Sequence, residues 1–215
     1  MKKPANYLLG MLPVVFLFVT SCSKSIVTPA DESNAKNTDI EIRKGKPVKP
    51  PTTSSYTTYT IQQGAHYCDQ STIKSVRTSE MKFAVKFDES AQYTTVIANN
   101  QYDINKLYGF SEGFDNQYNS ARIGWNWYDN ALHLHAYVYN KGVRMYEEIK
   151  TVAIGANIQC SIKVSGSSYI FTVDGVQVTM PRGLSTNSAS GYQQYPYFGG
   201  DETAPHKITI LIQNL

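Results

Sequence analysis

The chain has 215 residues, of which 41% are hydrophobic and 17% charged, with a formal net charge of +3. So small a surplus excludes the broad basic surface that a phosphate-tracking nucleic-acid binder needs. Three cysteines without a CxxC spacing, and no His/Cys cluster, argue against a structural metal.

Met1-Lys2-Lys3 and the apolar run Tyr7–Val19 open the chain. That run is short for a bilayer span and leads into small polar residues, so residues 1–21 read as an export signal. Its end, Val19-Thr20-Ser21-Cys22, resembles a bacterial lipobox. The resemblance implies that Cys22 is lipidated and becomes the first mature residue. The membrane is then a partner through that anchor, and the protein sits in the cell envelope, on the periplasmic or surface face of the outer membrane. An ordinary secretory signal with an incidental Cys is the alternative. Loss of the signal removes Lys2 and Lys3 and lowers the formal charge by two. Residues 22–55 show no hydrophobic period and include Lys46-Pro47-Val48-Lys49-Pro50-Pro51. Such a composition cannot bury a core and reads as a flexible tether. Residues 56–215, about 160 in number, make one domain. An exported location permits a disulfide between Cys68 and Cys160. Cys160 also shares parity with Ile158, Ile162 and Val164, so a buried free thiol is equally open.

From Tyr56 the pattern is that of strands. Tyr56–Ile61 is rich in Thr and Tyr, and Met81, Phe83, Val85 and Phe87 alternate with Lys82, Ala84, Lys86 and Asp88. Thr94–Ala98 is a further short candidate. Asn99–Ser120, rich in Tyr, Asn and Gly, reads as a long functional loop with room for a short helix or strand.

Ala121–Lys150 carries a three-stranded meander. Ala121, Ile123, Trp125 and Trp127 share one face, and Arg122, Asn126 and Tyr128 the other. Asp129-Asn130 is a two-residue hairpin turn pair. Beyond it Leu132, Leu134, Ala136 and Val138 take the apolar face, and His133, His135, Tyr137 and Tyr139 the polar one. The register pairs Trp127 with Leu132, Asn126 with His133 and Arg122 with Tyr137. A two-residue turn at Lys141-Gly142 sets Arg144 opposite Tyr139, Tyr146 opposite Tyr137, Glu148 opposite His135 and Lys150 opposite His133. It also keeps Met145 and Ile149 apolar-side and leaves Glu147 a misfit there. A three-residue loop with a bulge is the other possibility.

Ile158–Val164, Tyr169–Val173 and Val176–Met180 follow, the last two joined by Asp174-Gly175, and their apolar residues agree on one core face. Arg182–Gly200 is a second long loop, bearing Tyr192, Tyr195 and Tyr197; Asp201–Pro205 is a turn and Lys207–Gln213 a last strand. No segment of ten or more residues has a helical period, so the fold class is all-β, a two-sheet antiparallel sandwich or jelly roll.

Ser168–Met180 (SYIFTVDGVQVTM) and Tyr195–Ile212 (YPYFGGDETAPHKITILI) resemble the strand–Asp-Gly–strand hairpin and the closing loop and strand of the concanavalin A-like lectin/glucanase superfamily. The resemblance implies a jelly roll of two curved sheets over Tyr56–Leu215, with a glycan groove on the concave one. The Glu-x-Asp-x-x-Glu run of the glucanase branch is absent. Arg77–Met81 and His133-Leu134-His135 only echo the motifs of the alginate-lyase-like branch, so no catalytic residue carries over.

The polar face of the meander is therefore the expected ligand-binding surface: Arg122, Asn126, His133, His135, Tyr137, Tyr139, Arg144, Tyr146 and Glu148. Tyr and His rings stack on sugars, while Arg, Asn and Glu give forked hydrogen bonds. The plainer reading is the solvated side of a sheet. The expected role is binding or presenting a polysaccharide. Cleavage of a uronate polymer by β-elimination is the alternative, with Arg122 or Asn126 neutralising the carboxylate and His133, His135, Tyr137 or Tyr139 moving protons. A structural or adhesion role without a small ligand is the third. Hydrolysis is disfavoured, because it needs two carboxyl groups and only Glu148 is on this face. No cofactor is expected. Asp201-Glu202 offers oxygens to Ca²⁺, although a solvated turn is the favoured reading there.

Overall fold

The structure is a computed structural model that describes residues 55–215. The expected export signal, Cys22 and all but the last residue of the expected tether lie outside the described residues. Twelve strands are described: β1 (Thr57–Ile61), β2 (Ser75–Thr78), β3 (Glu80–Phe87), β4 (Asn105–Ser111), β5 (Asn119–Tyr128), β6 (Ala131–Asn140), β7 (Val143–Val152), β8 (Ile158–Ser165), β9 (Ser168–Val173), β10 (Val176–Pro181), β11 (Ala189–Gln194) and β12 (Ile208–Asn214). They form two antiparallel sheets of six strands, ordered β1-β12-β3-β8-β9-β10 and β2-β11-β4-β5-β6-β7. This is the two-sheet jelly-roll sandwich that the strand pattern predicts.

The turns form because their residues tolerate left-handed backbone. Asp129 and Asn130 have φ of 47° and 57°, Lys141 and Gly142 51° and 83°, and Asp174 and Gly175 45° and 85°. Positive φ at both central positions defines the turn whose twist matches a hairpin. Each turn then sets the register. Trp127 pairs with Leu132, Asn126 with His133 and Arg122 with Tyr137, as expected. Across the second hairpin, Tyr139 faces Arg144, Tyr137 faces Tyr146 and His135 faces Glu148. The expected pairing of Lys150 with His133 is corrected by a bulge: beyond Leu134 and His135 the register shifts, and His133 faces Thr151 instead.

The inner faces meet over a core that includes Phe83, Phe87, Phe110, Trp125, Leu134, Tyr169 and Phe171, all essentially inaccessible. Trp127 is only half-buried at its margin. Glu147 faces the apolar side opposite Ala136, yet it is exposed, because β7 is an edge strand. Met145 is exposed for the same reason.

Two expectations are corrected and two open readings are decided. Thr94–Ala98 is not a strand; it leads into a short 3-10 helix, Ala98–Tyr102. Arg182–Gly200 is not all loop, because it holds β11, and Asn99–Ser120 contains a strand of the kind it had room for, β4. Cys68 and Cys160 are both free and buried, and no disulfide joins them. Burial in apolar surroundings pushes both thiols up and leaves them unreactive.

A clasp ties the two sheets together at one end. Arg182, just after β10, donates Nε and Nη2 to the two oxygens of Glu112, each at 2.6 Å, and Tyr169 of β9 also donates to Glu112. Both charged side chains are almost wholly buried. The remaining guanidinium hydrogens reach Gly166 O at 2.7 Å, Thr186 Oγ1 at 2.8 Å and Ser188 O at 3.2 Å. A buried ion pair is tolerated when such extra bonds satisfy it.

Candidate functional site: a cation-lined cleft on the second sheet

Paired residues on neighbouring antiparallel strands share a face, so the outer face of the second sheet can be followed in rows. One row runs Ser111, Ser120, Tyr139, Arg144 from β4 to β7, and the next runs Gly109, Arg122, Tyr137, Tyr146. Gln194 of β11 extends the second row beside Gly109, and Tyr192 has the same parity. A third row runs Lys106, Gly124, His135, Glu148, and Asn126 with His133 lies beyond it.

Tyr139 and Arg144 of the first row and Arg122, Tyr137 and Gln194 of the second, together with Lys106, floor a cleft of about 580 Å³. Its walls are loops: Tyr67 and Ser71–Ile73 on one side, Asn116 and Gln117 on another, and Tyr195–Tyr197 with Gly199–Asp201 on a third. The last wall is held by backbone pairing, since Lys106 N donates to Tyr197 O and Tyr197 N to Lys106 O, both at 2.9 Å. Tyr67 packs edge-on against Tyr197, which stacks on His66.

Cations dominate the cleft. Arg122 is 7% exposed and lies 5.2 Å and 5.9 Å from the ring centres of Tyr137 and Tyr139. No carboxylate pairs with it among the described ion pairs. Its Nη2 makes only long contacts, 3.4 Å to Ser120 Oγ and 3.5 Å to Asn116 O, and its buried Nε has no partner. Burial lowers its pKa, partly opposed by Tyr137 and Tyr139. Lys106 Nζ donates to Gly199 O at 2.9 Å and lies 5.2 Å from the Tyr137 ring centre. Burial first, then Arg122 and Arg144, push Lys106 down to about 8, against an opposing pull from Asp103. Tyr137 is pushed up to about 12, chiefly by burial, and stays protonated at neutral pH. Asp201 is the one carboxylate among the residues lining this cleft.

The far end of the expected face is closed. Tyr102, at the end of the 3-10 helix, accepts a 3.2 Å bond from Asn126 Nδ2 at its carbonyl, and its ring packs against Tyr128. Tyr128 stacks on His133 at 3.7 Å, and His135 Nε2 donates to Asn126 Oδ1 at 2.8 Å. His133 Nδ1 lies 3.1 Å from Glu148 Oε2, within ion-pair reach but without hydrogen-bond alignment. Burial would raise the Glu148 carboxyl, but its contacts with His133 and Tyr128 outweigh that and lower it. Burial pushes His135 down to about 4, so it is neutral at physiological pH.

Of the nine expected ligand-binding residues, then, Arg122, Tyr137, Tyr139 and Arg144 line the cleft. Tyr146 lines a small adjoining recess with Tyr102, Asp103 and Lys106. Asn126, His133, His135 and Glu148 line neither. The histidines expected to move protons in a lyase are buried beside one another instead. Sequence reasoning missed Lys106, Asn116 and Gln194. Their only signal was membership of the two long loops, since neither segment shows strand periodicity. Glu202, named with Asp201 as an oxygen donor for Ca²⁺, accepts from Val96 N, Ile97 N and Asn100 Nδ2, each at 2.8 Å. Among the described residues, no cluster of three or more His, Cys, Asp or Glu is placed to hold a metal.

No family model matches the chain, and no curated protein matches it. Solved structures with a similar fold include the alginate lyase AlyC3, at 11% identity and a TM-score of 0.49 over 73% of this chain and 72% of that one. The marine alginate lyase AlyA1 from Zobellia galactanivorans is similar at 12% identity and 0.40, over 74% of this chain and 62% of that one. A carbohydrate-binding module from Bacillus subtilis is similar at 10% and 0.38, over 75% and 93%. Likenesses this faint concern the sandwich architecture alone; function rests on the cleft.

Proposed function

We propose that the cleft binds an acidic polysaccharide and that the protein presents or retains such a polymer at the cell envelope through a lipid on Cys22. The observation that carries the binding reading is Arg122. A buried guanidinium with no carboxylate and an unpartnered Nε is costly in the free protein, and a carboxylate or sulfate in the cleft would relieve it. Lys106 and Arg144 reinforce the positive field, while Tyr139, Asn116 and Gln194 supply the stacking and hydrogen bonds that sugar rings use. The anchor is supported by the Val19–Cys22 run alone. The test is a thermal-shift and calorimetric screen of the full chain against polyuronates and neutral glucans. Binding stabilises the fold by an amount set by ligand concentration over Kd, so only the acidic polymers are expected to raise Tm.

A second reading, β-elimination, is favoured by one observation. Lys106, lowered to about 8, stands beside Arg122 and the protonated Tyr137, so the cleft holds a base and an acid near an anion site. The two readings differ in pH dependence. Pure binding weakens as pH rises through about 8 and Lys106 loses its charge. Elimination strengthens over the same range and releases unsaturated uronate, which absorbs in the ultraviolet.

A further inference from the structure

The aromatic residues beyond the cleft have no structural explanation. Phe114 is 90% exposed, and its ring lies 5.2 Å from that of Tyr192 at a 38° tilt. Tyr192 is half-buried and Phe114 stands on it in the open, so the two rings form an apolar platform that water disfavours and packing does not require. Their position is informative. Tyr192 has the parity of Gln194, two residues on, whose side chain lines the cleft. Phe114 belongs to the same loop as Asn116, and Asn116 Nδ2 donates to Gln194 Oε1 at 3.2 Å. The loop is pinned by Gly113 N to Ser190 O at 3.0 Å and by Glu112, which is locked in the buried clasp. The pair is thus held at the β11 end of the first two rows, the second of which runs through Arg122. At the β7 end of those rows stand Arg144 and Tyr146, the latter 57% exposed. The rows span five strands from β11 to β7, four spacings of about 4.8 Å each, or roughly 19 Å.

We infer that Phe114 and Tyr192 form a sugar-stacking subsite, so that the protein grips an internal stretch of a polysaccharide several residues long, centred on Arg122, rather than a chain end or a single sugar. The inference rests on the acidic-polysaccharide reading and adds to it the length and direction of the bound segment: across the strands, from β11 toward β7. The occupant is the same chain that fills the cleft, because the Asn116–Gln194 bond makes cleft wall and platform one continuous surface. Stacking on a fixed aromatic face is sequence-tolerant and favours long ligands over short ones.

The test is calorimetry of the full chain with uronate oligosaccharides from disaccharide to octasaccharide, using wild type, Phe114→Ala and Tyr192→Ala. The inference predicts affinity that climbs with length and then levels off. Each substitution should lower affinity for the long oligomers roughly three- to tenfold and leave the shortest one unchanged. Phe114→Ala removes an exposed ring, so it leaves folding intact and keeps the comparison fair. Affinity independent of length, or unchanged in both variants, overturns the subsite while leaving the Arg122 site standing. Absence of binding at every length overturns the acidic-polysaccharide reading and the subsite with it.

Discussion

Arg122 illustrates how a side chain can be legible as to place but not as to state. Parity alone assigns it to the polar face opposite Tyr137, and the register agrees. What parity does not show is that loops bury it without a counterion, because burial there comes from residues far away in sequence. The consequence is testable: Arg122→Gln should lower affinity for a polyuronate by about 1.5–3 kcal/mol, roughly ten- to hundredfold, by removing charge-assisted hydrogen bonds. The same change should leave Tm unchanged or raise it, since it relieves an uncompensated buried charge. Loss of binding together with a large fall in Tm would instead make Arg122 a packing residue. His135 gives a second prediction. Its folded pKa, about 4, lies below the ordinary 6.5, so the folded state takes up the proton less readily than the unfolded one. Its stabilising effect is complete above pH 6.5 and is lost as pH falls toward 4, amounting to about 2 kcal/mol by pH 5. Denaturant unfolding at pH 7 and pH 5 measures this, and His135→Gln should flatten the difference.

The hairpins were legible because two independent signals coincide, a turn pair that accepts positive φ and an alternation that fixes which face is buried. The missed strands lack the second signal. β4 is buried on both faces and carries a bulge between Lys106 and Tyr108, so its alternation breaks. β11 (ASGYQQ) pairs with β4 at only two positions and is nearly devoid of aliphatic side chains. Thr94–Ala98 misleads in the other direction: its β-branched run is recruited by the Glu202 carboxylate, which caps the Val96 and Ile97 amides and leaves no strand partner. That carboxylate ties down the segment closing over His133 and His135. Glu202→Ala should therefore increase amide exchange across residues 95–102 without changing the global unfolding transition. The clasp behaves oppositely. Arg182→Ala leaves Glu112 buried and unpaired and should cost about 3–5 kcal/mol in denaturant unfolding, whereas a double Glu112→Leu, Arg182→Met variant should recover much of that loss.

Across the whole molecule, the jelly roll supplies a rigid outer face, and the loops decide what that face does. They seal the histidine end, which the sequence offered for ligand binding and, in the lyase alternative, for proton transfer, and wall the arginine end into a cleft. The proposed function therefore rests on loop contacts rather than on strand composition, and so the fold could be inferred from periodicity while half of the expected site could not. The lipid anchor proposed at Cys22 is tested separately from the cleft. Cys22→Ala should move the protein from the membrane to the soluble fraction without altering glycan affinity. The most direct measurement is calorimetry of the wild type and Arg122→Gln with a polyuronate and with its carboxyl-reduced, neutral counterpart at low and moderate salt. Acidic recognition predicts that the wild type binds the polyuronate alone, more weakly as salt rises, and that Arg122→Gln loses most of that binding. Equal affinity for the neutral polymer, or full affinity in Arg122→Gln, would contradict it.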